Sequence, residues 1–333
     1  MAYTEEKKAA NGYRQEYVDS LNSLINQKKQ AGEATRRRLA ENLFTDSDAC
    51  RNRFREMLGW PLTEPRDAAP PAVESELLAE EDGYRIYRMH FEVLPGLRMH
   101  GLLYRAEGVQ PLVITQCGGN GTPEFIAGML GPDSNYNNML PRVKQHGVHL
   151  FAPQLLLWEE SYEVPYNRQA MDIDLKRVGS SITAVEVFGI QRILDYFEAQ
   201  DYVSCFGMVG LSYGGFYTLF TTAVDTRIRS AVSCAFFNSR DQVSWEDWTW
   251  WRAAEQFDDA EIACLVYPRR LCLEIADHDE LFDYQHGIAS FEKIKSYCRD
   301  VGTDWVELIV FDGCHEFCKD DRPIERLIAD LKA

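Results

Sequence analysis

Val203-Ser204-Cys205-Phe206-Gly207-Met208-Val209-Gly210-Leu211-Ser212-Tyr213-Gly214-Gly215-Phe216-Tyr217 reads as a short apolar strand, a tight turn and the start of a helix. The turn carries Gly210-Leu211-Ser212-Tyr213-Gly214, a G-x-S-x-G pattern. A serine on a sharp strand-to-helix turn holds a strained backbone, so the positions two residues to either side must lack bulk. Its hydroxyl then sits at a helix N-terminus, where backbone N–H groups favour negative charge. The three fixed positions are a weak signal alone. The strand before them and the helix after them give the pattern its force.

Outward from this turn the chain alternates strand and helix. Buried strands are expected near Leu112–Thr115, His149–Ala152, Ser204–Val209, Ala231–Phe236, Leu271–Ile275 and Val306–Phe311. Amphipathic helices between or after them carry Val187, Ile190, Leu194 and Phe197, then Ile288, Phe291, Ile294 and Cys298, then Ile324, Leu327, Ile328 and Leu331. That alternation means a mostly parallel sheet covered on both faces. Ahead of it, Tyr87, Met89, Phe91 and Val93 alternate with polar residues, Pro95-Gly96 turns, and Met99 to Tyr104 returns, which predicts a hairpin at one end of the sheet.

Residues from about 13 to 58 are helical in character. Tyr17, Leu21, Leu24 and Ile25 share one face, Leu39 and Leu43 mark a second helix, and Asp46 or Ser47 caps a third that Gly59 and Pro61 stop. Arg36-Arg37-Arg38 reads as a solvated helix face, and Pro65 to Pro71 as a linker. This gives an N-terminal helical extension over 1–80 and a main domain over 81–333, with an insertion at about 238–268. The insertion contains Trp245-Glu246-Asp247-Trp248-Thr249-Trp250-Trp251. Four indoles in seven residues need cover, either as core or as walls of a site.

The formal charge of −17 argues against nucleic acid and anionic membranes as partners. No apolar run is long enough to span a bilayer, and the N-terminus lacks the apolar core of a signal peptide. Nine cysteines, an odd number lying mostly in apolar runs, argue against a disulfide framework and for a reducing, cytoplasmic setting. Cys314-His315-Glu316-Phe317-Cys318 has no second ligand pair of zinc-like spacing, so no metal is expected. No strand-linked nucleotide motif occurs, so no cofactor is expected. A homo-oligomer is compatible with the composition.

Serine needs a base, usually a histidine held in one tautomer by a carboxylate. In an open α/β sheet such groups gather at the carboxyl ends of strands. Of the seven histidines, His315 lies just past the last strand, on a loop loosened by Gly313. The acid lies in Ala276-Asp277-His278-Asp279-Glu280. Spacing alone leaves Asp277, Asp279 and Glu280 open. Gln116-Cys117-Gly118-Gly119-Asn120-Gly121 follows the Leu112 strand, and its small residues let backbone N–H groups approach a developing oxyanion.

Over roughly residues 84 to 333 the chain resembles the α/β-hydrolases. Gly-Leu-Ser-Tyr-Gly-Gly, an acid loop and Gly-Cys-His occur in the order Ser, Asp, His that this fold uses. The resemblance implies a mostly parallel eight-stranded sheet, with Ser212 as nucleophile and His315 as base. The acid loop often reads Gly-x-x-Asp in that family. Ala276 stands here for the glycine, which makes Asp279 the acid and Asp277 the fallback. By the same pattern the oxyanion donors are the N–H of Tyr213 and that of Gly119 or Asn120.

The N-terminal helices, Leu58-Gly59-Trp60-Pro61 and Gly119-Asn120-Gly121-Thr122-Pro123-Glu124 are similar to the acetyl-xylan-esterase and dienelactone-hydrolase-like branch. That implies a serine esterase acting on acyl esters, some of them on sugars; short acyl groups are expected, and because indole faces stack on sugar rings an acetylated carbohydrate is the expected substrate, with Trp245, Trp248 and Trp158 as indole walls. Glu159, Glu160 and Arg168 are further candidates to line the site. The rivals are an oligopeptidase-like serine peptidase and a non-catalytic binding protein on the same fold.

Overall fold

The structure, a computed structural model, describes residues 1–67, 69–132, 134–157 and 166–333. Its centre is one sheet built from β1 (Val73–Glu81), β2 (Tyr84–Leu94), β3 (Leu97–Arg105), β4 (Gln110–Gln116), β5 (His149–Pro153), β6 (Val203–Leu211), β7 (Ile228–Cys234), β8 (Arg270–Ala276) and β9 (Val306–Phe311). The spatial order is β1-β2-β3-β5-β4-β6-β7-β8-β9. The first three strands and the β3–β5 pair are antiparallel. The rest run parallel. The α/β architecture is therefore as expected, with nine strands in place of eight.

The additional strand is β1. Its sequence, Val-Glu-Ser-Glu-Leu-Leu-Ala-Glu-Glu, lacks the alternation of a half-buried strand because it is an exposed edge carrying four glutamates. Charge on such an edge blocks pairing with another chain. The central strands read as apolar runs because helices cover both faces. Every residue of β5 is buried, and so are all seven from Cys205 to Leu211 in β6.

The N-terminal helix starts earlier than the sequence suggested, spanning Lys7–Ala40. Tyr17, Leu21, Leu24 and Ile25 do share a face, but that face is open to solvent. The far end of the helix is docked. Arg36, expected in a solvated run, is buried, bonding the carbonyl of Ala254 and lying 3.7 Å from Glu261. The next helix, Ser47–Leu58, is capped by Asp46 and sends Phe54 against Phe220 and Phe257. The helices before residue 60 thus share one hydrophobic core with the sheet. Among the described residues no helix is long and apolar enough to cross a membrane.

β8 also carries Glu274, fully buried. Among the described residues no N–H or O–H donor reaches its oxygens, and burial pushes its carboxyl from 4.5 up to about 7. Between those two values the folded protein holds the proton and the unfolded chain releases it. Stability from this group is therefore complete below pH 4.5 and falls as pH rises to about 7. The loss amounts to about 3 kcal/mol. Glu274→Gln is expected to be the more stable protein at pH 8 by a margin that shrinks towards pH 5. Urea unfolding of both proteins at the two pH values reads the difference, and an equal margin at both would refute it.

Candidate active site

β6 and the helix Tyr213–Val224 meet at Ser212, whose backbone sits at φ 59° and ψ −119°. Strain of this kind persists only where the surroundings fix it. Here the N–H of Ser212 donates to the carbonyl of Cys234 at 2.9 Å. The two flanking glycines are required by contact. A Cβ on Gly210 would lie 2.4 Å from the backbone of Gly214, and one on Gly214 would lie 2.0 Å from the carbonyl oxygen of Gln116. The turn thus fits only where β4, β6 and the helix close on one another.

The loops after β8 and β9 supply the other polar groups. Asp279 Oδ2 lies 2.9 Å from His315 Nδ1. Asp279 Oδ1 accepts from the N–H groups of Leu281 at 2.8 Å and Phe282 at 3.1 Å, so the carboxylate is fixed at both oxygens. With Nδ1–H directed at a carboxylate, the imidazole presents Nε2 as an acceptor. The loop itself is tied down. Asn135 Nδ2 donates to the His315 carbonyl at 3.0 Å, and the His315 N–H donates to Glu280 at 3.3 Å. Asp277 takes a different position from Asp279: it accepts from the Gly313 N–H at 3.3 Å and so braces the histidine loop. Glu280 likewise meets the backbone of the histidine loop, at the His315 N–H.

Ser212, Tyr213, Gly119, Asn120, Trp245 and His315 line one cleft of about 320 Å³. The loop after β4 is ordered by Tyr136, whose hydroxyl accepts from the Gly118 N–H at 2.8 Å. Gly119 and Asn120 line the cleft beside Gly118, Asn120 with a left-handed φ of 58°. Tyr213 opens the helix, so its N–H lies at the positive end of the helix dipole.

Behind Tyr213 lies a buried polar network. Arg168 donates from Nε to Asp247 Oδ2 at 2.7 Å, from NH1 to Glu186 Oε2 at 3.0 Å and from NH2 to the Tyr217 hydroxyl at 2.7 Å. The Tyr213 hydroxyl donates to the same Asp247 oxygen at 2.7 Å, and Tyr217 donates to Glu186. The Leu156 N–H completes Glu186 at 2.6 Å. Burial alone would lower the affinity of Arg168 for its proton. Glu186, the two tyrosines and Asp247 outweigh it and hold the guanidinium well above its usual range. Burial, and then Asp247, push the Tyr213 hydroxyl far up, so it stays protonated as a donor.

Several of the expected site residues land elsewhere. Arg168 does not line the cleft; its side chain is 1% exposed. Trp248 is core, packed against Phe216, Phe236 and Phe282, and Trp250 is buried as well. Of the four indoles, Trp245 alone lines the cleft, stacked on Tyr213 at 5.9 Å and 9°. Trp158, Glu159 and Glu160 lie outside the described residues. Sequence reasoning missed Glu186, Tyr217 and Asp247. Asp247 left a trace, as an acid inside a tryptophan run that had to be buried with it.

The remaining histidines and cysteines have other surroundings. His149 is fully buried, accepting from the Ala106 N–H at Nδ1 and bonding the Tyr202 carbonyl at Nε2. All nine cysteines are free, and all but Cys314 are buried. Asp277, His278 and Asp312 bring ligand atoms within 4.8 Å of one another. His278 and Asp312 are solvent-exposed, so this group is a screened surface cluster.

No sequence-family model matches the chain, and no curated protein matches it either. Solved structures do. The chain is similar to a glucuronoyl esterase from Solibacter usitatus at 14% identity and TM-score 0.62, covering 86% of this chain and 91% of that one. It is similar to an acetyl xylan esterase from Paenibacillus sp. R4 at 16% identity and TM-score 0.59, covering 87% and 94%. The chain has the α/β-hydrolase fold. A methylesterase adds a match at 16% identity and TM-score 0.58 over 98% of this chain and 68% of that one. That last match is the widest of the three and takes in the N-terminal helices.

Proposed function

We propose that the protein is a serine hydrolase of carboxylic esters with a compact acyl group. The observation that carries this reading is the 2.9 Å contact of His315 with Asp279 in a cleft shared with the strained Ser212. Ser212 Oγ attacks the acyl carbon while His315 Nε2 takes its proton. Asp279 holds the ring and stabilises the imidazolium. The N–H groups of Tyr213 and of Gly119 or Asn120 receive the oxyanion, where each donor is worth about 3–4 kcal/mol of barrier. The imidazolium then protonates the leaving alcohol, and water, activated by the same ring, releases the acid and restores Ser212.

The esterases among the similar structures support the ester class, and the small cleft supports a short acyl group such as acetyl. A sugar as the alcohol draws support from the xylan and glucuronoyl esterases and from the face of Trp245; Trp248 no longer contributes. The decisive assay is hydrolysis of p-nitrophenyl acetate together with labelling by a fluorophosphonate. Both are expected in the parent and lost in Ser212→Ala. A folded parent that neither turns over nor labels is not this enzyme, and amide cleavage in preference to ester cleavage would make it a peptidase.

A further inference from the structure

One short segment touches both halves of the candidate site. Ser134, Asn135 and Tyr136 line the Ser212 cleft together with His315 and with Gly118, Gly119 and Asn120. On one side the segment holds the loop after β9. Asn135 Nδ2 donates to the His315 carbonyl at 3.0 Å, and the Asn135 carbonyl accepts from the Phe317 N–H at 2.8 Å. Asn137 Nδ2 lies 2.9 Å from the Glu316 carboxylate and 2.6 Å from the Phe317 carbonyl, donating to both. Arg142, on the helix Met139–Lys144 that follows, donates to the carbonyls of Cys318 at 2.7 Å and Asp320 at 2.8 Å. His315 is therefore held by its backbone as well as by its ring.

On the other side the segment holds the loop after β4. The Tyr136 hydroxyl accepts from the Gly118 N–H at 2.8 Å. It fills a space that exists because residue 121 is glycine, since a Cβ there would lie 2.3 Å from the hydroxyl oxygen. The Tyr136 ring is buried and meets Phe125 edge-on at 5.9 Å. Around these anchors the backbone is strained: Ser134, Asn137 and Asn138 have left-handed φ values of 39°, 48° and 58°. Such conformations persist only where the surroundings over-determine them, and they gather at functional sites. Contacts to two separate loops supply that constraint here.

We propose that Asn135-Tyr136-Asn137 is a positioning bridge, which fixes the loop bearing His315 relative to the loop after β4 so that neither moves without the other. The inference rests on the ester-hydrolase reading for its catalytic consequence, while the mechanical coupling stands apart from it. Base and oxyanion donors must meet the same acyl group in one step, and a misplacement of about 1 Å costs about a hundredfold in rate. The three residues act through the loops they hold.

The test compares Asn135→Ala, Tyr136→Phe and the double variant with the parent, and adds Asn137→Ser as a second break on the His315 side. Hydrogen exchange read by mass spectrometry follows the peptides that contain Gly118 and Phe317, with the fully buried strand β5 as reference. Each single variant is expected to speed exchange about threefold or more in both peptides, including the one it does not touch, with β5 unchanged. On p-nitrophenyl acetate, kcat per site titrated with a fluorophosphonate is expected to fall about ten- to a hundredfold, with KM within about twofold of the parent. The double variant is expected to lose about as much as the worse single one, because either break releases the same unit.

Faster exchange confined to the loop each variant touches, or losses that multiply in the double variant, would show two separate props and overturn the bridge. Coupled exchange with parental kcat per titrated site overturns the positioning role. Coupled exchange in a protein whose parent neither turns over ester nor labels keeps the bridge and removes the esterase reading.

Discussion

Asp279→Asn is expected to lower kcat for p-nitrophenyl acetate by about 10⁴-fold with little change in KM. The reason is tautomeric. An amide presented to His315 Nδ1 in place of a carboxylate either donates to the ring or leaves Nδ1–H poorly held. Nε2 then no longer reliably carries the lone pair that must take the serine proton. Asp279 also accepts the N–H groups of Leu281 and Phe282 through Oδ1, and asparagine retains one carbonyl oxygen for them. The loop should therefore stay folded while catalysis fails. Asp277→Asn is the control. Its carboxylate meets the Gly313 N–H at 3.3 Å and can keep that contact as an amide. It is expected to lose less than tenfold. Stopped-flow and steady-state rates on both variants check this, and the reverse ranking would remove Asp279 from the proposed triad.

Arg168→Met is expected to cost about 3–5 kcal/mol of folding stability, because it strands two buried carboxylates. Glu186 and Asp247 lose the cation between them while remaining out of reach of water. A domain of ordinary stability has about 5–15 kcal/mol in total, so the variant should unfold at markedly lower urea. The pair itself is not the source of that number. Desolvating three charges is costly, and a well-packed apolar replacement of all of them could be neutral. Arg168→Met combined with Glu186→Gln should therefore recover part of the loss. The network also holds the ring of Tyr213 through Asp247. Folded Arg168→Lys is expected to retain stability better than Arg168→Met, since lysine keeps the charge but not the fork. Equilibrium urea curves give the ranking, and a loss below about 1 kcal/mol for Arg168→Met would show that water reaches the site.

How much was legible beforehand differs between backbone and side chains. The strand-turn-helix around Ser212 could be read locally, because its demands are steric and fall on neighbours two residues away. Gly210 and Gly214 meet those demands by lacking a Cβ. The buried strands were legible because cover on both faces writes an unbroken apolar run. β1 was not, because an edge strand facing water has no buried side to impose a period, and its glutamates resemble a solvated linker. Arg36 was misread for a related reason. A basic run says nothing about which member has acids opposite it, and Asp258 and Glu261 lie more than two hundred residues away.

The order Ser212, acid, His315 belonged to the sequence by itself, since strand ends in an α/β sheet have fixed positions along the chain. Which of three neighbouring acids faces the imidazole was a tertiary matter. A rotation of the loop after β8 decides it, and that rotation is set by contacts with the loop after β9. The fate of the tryptophans was tertiary too. Indole is equally suited to core and to a binding wall, so only packing could send Trp248 inward and leave Trp245 at the cleft. The same holds for Arg168, Glu186 and Asp247: charges drawn from three separate segments become one buried network only when the fold removes the water between them.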